Sequence, residues 1–316
     1  MRCSIEQHPF ACSRSASAPV RRTLRAVHPL RAVRALRPAA GAAALLLAGC
    51  SGGVLDPRGR VGMEERSLIL TAAALMLIVV VPVIVLTITF AVRYRASSRK
   101  AVYRADWSHS RPLEIVVWVV PCLIVGALGY LAWTRSHSLD PFRPLSSAEP
   151  PVSIQVVSLD WKWLFIYPAE HVASVNEVAF PVGTPVDFSV TSDTVMNSFF
   201  IPQLGSQIYS MAGMRTQLHL EASTPGRYAG LSANFSGDGF SRMRFAALAL
   251  SAGGYRSWLE RARRTGQVLD WSAYRELAAP SENAPVRYFS GVQAGLFNKV
   301  VDEYADGPPM RMSALP

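Results

Sequence analysis

A turn-rich segment in the second half of the chain reads Tyr228-Ala-Gly-Leu-Ser-Ala-Asn-Phe-Ser-Gly-Asp-Gly-Phe-Ser-Arg-Met243. Its small polar residues Ser232, Asn234 and Ser236 are spaced by two, and Phe240 follows four residues after the last of them. Runs typical of β-strands flank the segment, so it is predicted to be a loop that joins two strands. A regularly spaced loop of this kind is a candidate site on a β-scaffold.

The spacing resembles the copper-binding loop of cytochrome c oxidase subunit II. In that family a Cys-x-Glu-x-Cys run is followed four residues later by His and three residues after that by Met, and another histidine stands upstream near the end of a strand. The matching positions here hold Asn197 for the upstream histidine, Ser232 and Ser236 for the cysteines, Asn234 for the glutamate, Phe240 for the late histidine and Met243 for the methionine. Only the methionine is retained.

The replacing side chains are unsuited to a copper pair. Such a pair needs bridging thiolates and imidazoles, because soft sulfur and nitrogen donors set the affinity and the redox potential for copper. Hydroxyl, amide and phenyl groups do not supply them. This set of replacements is similar to that of the quinol-oxidising branch of the heme-copper oxidases. The chain therefore resembles subunit II of the bo-type ubiquinol oxidases over nearly all of its length after about residue 45.

The resemblance implies a membrane-anchored all-β protein, in which a two-helix transmembrane hairpin is followed by a cupredoxin-like Greek-key β-barrel and a C-terminal helical arm. It implies an accessory subunit of a proton-pumping ubiquinol oxidase, with a structural and assembly role and no cofactor of its own. The hemes and the remaining copper would then lie in subunit I. The expected partners are subunit I and the other subunits, membrane lipid, and ubiquinol through the complex.

The net charge of +10 does not indicate a nucleic-acid partner. Residues 1–49 carry eight arginines against Glu6, and residues 93–112 carry six basic side chains against Asp106, so these segments hold +7 and +5 and the remainder −2. Nucleic-acid binding would need a basic face on a folded domain, and the region after Trp133 has no such excess. Half of the 316 residues are hydrophobic, which favours membrane spans instead.

The start of the chain has the charge-then-apolar order of a bacterial export signal. The apolar run 39–50 ends in Leu-Ala-Gly-Cys, which resembles a lipoprotein signal. Cys50 is therefore predicted to become the lipid-modified first residue after removal of residues 1–49. Since Cys122 lies in an apolar span and no cysteine follows it, the exported domain has neither a disulfide nor a thiolate.

Two uncharged or nearly uncharged apolar runs lie within residues 50–134. The first extends over about 68–92 and the second over about 113–133, and each is long enough at about 1.5 Å per residue to cross a hydrocarbon layer of about 30 Å. The basic side chains between them place that loop in the cytoplasm by the positive-inside rule. The expected location is the bacterial inner membrane, as a multi-pass protein with its C-terminal domain in the periplasm.

Short runs separated by turn residues follow a Ser- and Pro-rich linker and predict a periplasmic cupredoxin-like domain over 151–250. The predicted strands are Val152–Leu159, Trp163–Tyr167, Glu177–Phe180, Pro185–Thr191, Phe199–Ile201, Thr216–Leu220, Gly226–Gly230 and Met243–Leu250.

From residue 251 to 316 the periodicity becomes helical, and three apolar faces predict a helical arm. The faces are Tyr255, Trp258, Leu259 and Ala262, then Trp271, Tyr274, Leu277 and Ala278, then Leu296, Phe297, Val300, Val301 and Tyr304. Two interpretations stay open: the arm clamps the barrel or a neighbouring subunit, or it is simply a packed helical tail.

Trp161 and Trp163 are candidate subunit-interface aromatics, because indoles favour boundaries between apolar and wet surroundings. The alternative is that they face the core of the domain. His219 alternates with two leucines on a predicted strand and is expected at the surface. Met196, Met211, Met214 and Met243 are expected to fill gaps in the core rather than to bind Cu(I).

No nucleophile, nucleotide-binding or dinucleotide motif is present in the sequence, so a separate catalytic site is not expected. Two other functions remain possible at this stage. The chain could be a copper-bearing cytochrome c oxidase subunit II with an aberrant site, or a free-standing periplasmic lipoprotein of cupredoxin fold. Five of the six ligand positions argue against the first, and the two spans argue against the second.

Overall fold

The computed structural model describes residues 53–96, 98, 109–147 and 149–305. The predicted signal segment and Cys50 lie outside these residues, as do Arg99, Lys100 and Arg104 of the loop between the spans. The lipid modification of Cys50 therefore stays a prediction.

Two long helices, α1 (Arg60–Arg93) and α2 (Arg111–Ser138), form the predicted hairpin. Both are apolar enough to cross a membrane, and their most apolar stretches are not buried against the rest of the chain. Each helix is longer than its predicted span. At about 1.5 Å per residue α1 is about 51 Å long, so its ends extend beyond a hydrocarbon layer of about 30 Å.

The first turns of α1 are docked on the periplasmic domain. The Gly62 amide donates to the carbonyl of Leu204 at 2.9 Å, and Glu65 accepts from the amide and hydroxyl of Ser206 at 2.8 and 2.7 Å. These contacts explain why the helix begins eight residues before the predicted span, since its polar start is held by the domain rather than by lipid.

The domain is a sandwich of two sheets built from ten strands and extended by the arm. Its strands are β1 (Val152–Leu159), β2 (Lys162–Tyr167), β3 (Val172–Val175), β4 (Glu177–Pro181), β5 (Val186–Ser192), β6 (Asn197–Ile201), β7 (Gly205–Ser210), β8 (Thr216–Leu220), β9 (Gly226–Ser232) and β10 (Arg244–Leu250). The arm consists of α3 (Ala252–Arg263), β11 (Val268–Leu269), α4 (Trp271–Ala278), β12 (Arg287–Phe289), β13 (Gly291–Val292) and α5 (Leu296–Ala305).

One sheet has the order β12-β3-β2-β1-β5-β8 and the other β4-β10-β9-β6-β7. Two pairs of neighbours are parallel, β1 with β5 and β4 with β10, and the other pairs within these two sheets are antiparallel. The chain therefore crosses repeatedly from one sheet to the other. This is the predicted cupredoxin-like architecture. The strands β3 and β7 were missed, because β3 has only four residues and β7 reads Gly-Ser-Gln-Ile-Tyr-Ser without an apolar alternation.

Every residue of β2 is buried, because the strand is covered on both faces. Trp163, Phe165 and Tyr167 point between the two sheets, where Phe199 stacks on Phe245 with ring centroids 5.0 Å apart. The alternate residues Leu164 and Ile166 face the arm and form a second apolar core with it. A strand buried on both faces reads as a continuous apolar run, as this one does.

The arm packs against the outer face of the six-stranded sheet. Tyr274 and Leu277 of α4 and Phe297 of α5 lie in the second core together with Val157 and Leu164 of the sheet. The predicted faces of α4 and α5 carry these buried residues, whereas the predicted face of α3 is buried in the first core. The arm is therefore packed on the barrel, which both interpretations expect, and its role as a clamp stays a prediction.

Candidate functional site

The loop that carries the altered ligand positions begins where β9 ends and contains a 3-10 turn, Asp238–Arg242. The Ser232 amide donates to the carbonyl of Met243 at 3.2 Å, which closes the loop at its base. The Met243 amide in turn donates to Phe240 at 3.1 Å. The backbone of the loop is therefore fixed by its own hydrogen bonds.

Asn197 and Ser232 meet in the interior at the start of β6 and the end of β9. They are 1% and 4% exposed, and the Ser232 hydroxyl donates to Asn197 Oδ1 at 3.1 Å. Asn197 Nδ2 donates to the carbonyl of Val195 at 3.2 Å and lies 3.4 Å from the Ser158 hydroxyl. Buried polar groups need such partners, and these two side chains supply them to each other.

The network continues into the six-stranded sheet. The hydroxyls of Ser158 and Ser210 are 2.9 Å apart, and Ser210 donates to the carbonyl of Thr191 at 2.6 Å. These three residues belong to β1, β7 and β5, so a chain of neutral hydrogen bonds links both sheets at this end of the sandwich. The region is polar, buried and satisfied.

Asn234 connects the loop to the segment between β5 and β6. Its Nδ2 donates to the carbonyl of Met196 at 3.0 Å. The carbonyl of Ser236 accepts from the Trp161 indole at 3.0 Å, while the buried Ser236 hydroxyl has no partner among the described residues. Both positions thus serve to hold the loop on the barrel.

Phe240 and Met243 are apolar members of the set. Phe240 packs edge-on against Phe235 at 5.7 Å, and Phe235 is 75% exposed at the tip of the loop. Met243 is buried in the core between the sheets. The structure therefore brings Asn197, Ser232, Asn234 and Met243 to one end of the sandwich, and Phe240 lies in the covering loop.

This donor set does not fit a copper pair. Its inner positions offer hydroxyl and amide groups and one thioether, and the side chains of Asn197, Ser232 and Asn234 already hydrogen-bond within the protein. Across residues 53–305, apart from the stretches left undescribed, no group of three His, Cys, Asp or Glu side chains could hold a metal ion. Met243 is buried in the core as expected, whereas Met214 is exposed, so the expectation that it fills a gap in the core is wrong.

The two tryptophans proposed for an interface have different environments. Trp163 is 0% exposed and packs in the core against Phe199 and Phe245, so it faces the interior and the interface prediction is wrong for it. Trp161 is partly buried and adopts a positive φ of 63°. It lies under the loop, where a side chain at Gly239 would overlap its indole. It supports the loop from within the domain, and its predicted place at a subunit interface stays a prediction.

The arm is tied to this end of the sandwich by buried polar contacts that the sequence did not reveal. The Tyr274 hydroxyl donates to Asp193 at 2.5 Å, and burial raises the pKa of Asp193 despite that bond. Lys162 Nζ donates to the carbonyl of Ala279 at 2.7 Å and to Ser281 at 2.6 Å, and burial lowers its pKa. The arm therefore secures the strand and the turn on which Trp161 and the Ser158 network depend.

A third anchor lies at Glu177, which is buried at the start of β4. Its Oε1 accepts from the Trp258 indole at 2.9 Å and from the Tyr288 hydroxyl at 2.5 Å. Burial, followed by the bond to this carboxylate, raises the pKa of Tyr288 to about 12. Because a buried carboxylate without partners is strongly unfavourable, the arm and the barrel depend on each other.

His219 is not at the surface as predicted. It is 8% exposed, its Nε2 is 2.6 Å from Asp187 of β5, and its Nδ1 is 2.9 Å from the carbonyl of Pro141 in the linker after α2. The strand alternation placed it correctly opposite the leucines, but the linker covers that face of the sheet.

Replacing Asn197 by Ala is expected to lower the free energy of unfolding by about 1–3 kcal/mol, because Ser232 loses its acceptor and Ser158 a neighbour in a buried site. Denaturant unfolding of the detergent-solubilised chain, followed by tryptophan fluorescence, measures this loss. Gln217→Ala, an exposed amide on β8, is the matched control and should change the unfolding free energy by less than about 0.5 kcal/mol.

Replacing Asp193 by Asn is expected to give a gain in stability that grows with pH. The raised pKa of Asp193 means that the folded state binds the proton more tightly than the unfolded state. The parent chain thus loses stability as pH rises from about 3.9 through the folded pKa, whereas Asn keeps an acceptor for Tyr274 and does not titrate. Unfolding measured between acid and neutral pH tests this, and a stability difference that shrinks toward neutral pH would contradict it.

Comparison with known families agrees with this architecture. Residues 153–249 match the family described as "Cytochrome C oxidase subunit II, periplasmic domain", and residues 263–307 match the "COX Aromatic Rich Motif". The second match covers most of the arm.

The chain is also similar to proteins of known complexes. It is 56% identical over 83% of its length to the cytochrome bo(3) ubiquinol oxidase subunit 2 of Pseudomonas aeruginosa, covering 80% of that protein. It is 53% identical over 82% of its length to the corresponding subunit of Pseudomonas putida, covering 83% of it. It is 51% identical over 85% of its length to the ubiquinol oxidase subunit 2 of Acetobacter aceti, covering 88% of it.

Proposed function

Because the chain belongs to the family of subunit II of the cytochrome bo(3) ubiquinol oxidases, we propose that it acts as a structural and assembly subunit that carries no copper centre. The complex is an oxidoreductase of the bacterial inner membrane, and this chain is held there by α1 and α2 with its domain in the periplasm. Electron transfer from ubiquinol to oxygen would take place in the partner subunit I, which would hold the hemes and the copper.

One observation carries the proposal: Asn197 and Ser232 hydrogen-bond to each other in the buried place that matches two copper ligands. These two side chains are occupied by each other, and hydroxyl and amide oxygens are poor ligands for copper in a redox pair. The polar network keeps the two sheets joined at this end, which is the structural task a metal would otherwise share.

The electron donor explains why the barrel can be retained without a copper centre that accepts electrons. Ubiquinol is lipid-soluble and can deliver electrons from within the bilayer, so the oxidase needs no water-exposed acceptor for a soluble cytochrome. The remaining task of the domain is to cover and stabilise the membrane-embedded subunits. The exposed Phe235 at the loop tip is available for such a contact.

The test is to purify the complex through this chain and to compare two electron donors. We expect oxygen consumption with ubiquinol and none above background with reduced cytochrome c, together with a heme-bearing polytopic subunit in the preparation. The metal content assigned to this chain should be below one copper per domain after separation from its partners. Two coppers with a purple thiolate-type absorbance would refute the proposal, and isolation of the chain as a lone monomer would favour a free-standing lipoprotein.

A further inference from the structure

A cavity of about 210 Å³ lies where the hairpin meets the periplasmic domain. Its walls come from the start of α1, the linker after α2, and the strands β7 and β8. The charged residues and the histidine that face it are Arg60, Glu64, Asp140, Arg143 and His219, beside the serines Ser138, Ser146 and Ser206. None of the residues that line it belongs to the loop or to the polar network described above. The proposed function does not use this cavity.

The walls of this cavity are held in place by specific bonds. Glu65 binds the backbone of β7 at Ser206, and His219 joins Asp187 of the barrel to Pro141 of the linker. Glu64 lies 3.7 Å from Arg135 of α2, which fixes the two helix ends beside each other. The cavity is thus a formed site rather than a gap between loosely connected parts.

The charged groups that line the cavity balance in sign, but they make few hydrogen bonds or ion pairs with the rest of the described chain. Arg60 makes one long bond, 3.4 Å to the carbonyl of Ser146. The Arg143 guanidinium has no hydrogen bond or ion pair with any residue that the structure describes. Glu64 and Asp140 supply two carboxylates, and among the described residues Asp140 accepts a side-chain hydrogen bond from the amide of Phe142 alone, at 3.0 Å. Two cationic and two anionic groups therefore share one small space.

The level of the cavity in the membrane follows from the helices. Glu64 precedes the apolar run of α1 by four residues, which is about 6 Å, and the headgroup layer on each side of the hydrocarbon is about 5–8 Å thick. On α2 the exposed aromatic side chains Tyr130 and Trp133 lie just before the linker, at the position typical of an interfacial aromatic belt. Both helices place the cavity at the headgroups of the periplasmic leaflet.

We propose that this cavity binds the headgroup of a zwitterionic phospholipid of the phosphatidylethanolamine type. The guanidinium groups of Arg60 and Arg143 would take the phosphate, since arginine donors match phosphate oxygens in geometry and charge. The carboxylates of Glu64 and Asp140 would take the ammonium group. A lipid bound there brings the acyl chains against the exposed apolar surface of the hairpin and joins domain, linker and membrane.

The first test is the lipid content of the assembled complex. We expect the oxidase purified in mild detergent with the double change Arg60→Gln and Arg143→Gln to retain fewer phosphatidylethanolamine molecules than the parent, as counted by mass spectrometry of extracted lipid. Arg264→Gln, an exposed arginine of the arm, is the matched control and should retain the parental number. Equal retention in the double variant and the parent would overturn the proposal.

The second test needs no variant and separates the possible ligands. The delipidated parental complex is titrated with short-chain phosphatidylethanolamine, phosphatidylglycerol or inorganic phosphate, and its thermal midpoint is measured. The first should raise the midpoint most, because only it offers an ammonium group to the two carboxylates. An equal rise with phosphatidylglycerol would overturn the zwitterionic assignment, and an equal rise with inorganic phosphate would overturn the lipid source. Ubiquinol oxidation is a separate readout, so failure here leaves the proposed function unaffected.

Discussion

Ending the chain after Leu250 is expected to abolish its accumulation in the oxidase complex. The arm covers the outer face of the six-stranded sheet, and its loss would expose the residues Val157, Leu164, Ile166, Ala173 and Val175. Full burial of each large apolar side chain contributes about 1.5–3 kcal/mol. Their summed loss is comparable to the whole stability of a domain, about 5–15 kcal/mol.

The truncation also removes the partners of charged groups. Glu177 would lose Trp258 and Tyr288, and Lys162 would lose the carbonyl of Ala279 and the hydroxyl of Ser281. Charges that lose buried partners destabilise a fold more than a lost surface contact does. The two effects act in the same direction, so little folded domain should remain.

Immunoblots of membranes and of the purified complex measure the outcome. A chain that ends after Ala305 keeps every described arm contact and is the matched control, with an expected amount close to that of the full chain. If the chain ending at Leu250 accumulated normally and co-purified with a heme-bearing subunit, the arm would be a dispensable tail and this account of the second core would be wrong.

Periodicity predicted the elements whose burial is regular. The helical faces at Tyr255 and Trp271 and the apolar run of β2 are repeated patterns, and the structure buries the residues that they select, with Trp271 and Ala278 only partly buried. By contrast, β7 presents alternating exposed residues at a sheet edge and has no apolar signal. Hydrophobic periodicity predicts an element where one of its faces is covered along the whole length, and it gives no signal for a strand at the edge of a sheet.

The positions matched to copper ligands were predicted from spacing, but their interactions could not be. Nothing in the sequence pairs Asn197 with Ser232, because the two are brought together only when β6 and β9 become neighbours in one sheet. The same limit applies to His219, whose strand alternation was right and whose burial depends on a linker 78 residues away. Side-chain pairs between distant strands are properties of the tertiary fold.

Replacing Phe199 by Ala is expected to be the most damaging single change in the periplasmic domain. Its ring lies 5.0 to 5.3 Å from the rings of Phe245, Phe188 and Trp163, so it stands at the centre of the first core. Removing a buried phenyl group leaves a cavity and costs about 3–5 kcal/mol. At about 2–4 °C per kcal/mol for a domain of this size, the thermal midpoint should fall by roughly 6–20 °C.

Phe235→Ala provides the matched control for this change, since it removes the same ring from a side chain that is 75% exposed. Its effect on the free energy of unfolding should stay within about 0.5 kcal/mol. The same variant also removes the side chain proposed to contact the partner subunit. Thermal unfolding of both variants in the same detergent, followed by tryptophan fluorescence, makes the comparison.

Because Phe199 is two residues from Asn197 on β6, a small loss of stability for Phe199→Ala would mean that this end of the sandwich is held by the polar network rather than by the aromatic core. The Asn197→Ala variant would then show the larger effect, and the order of the two losses decides which interaction dominates.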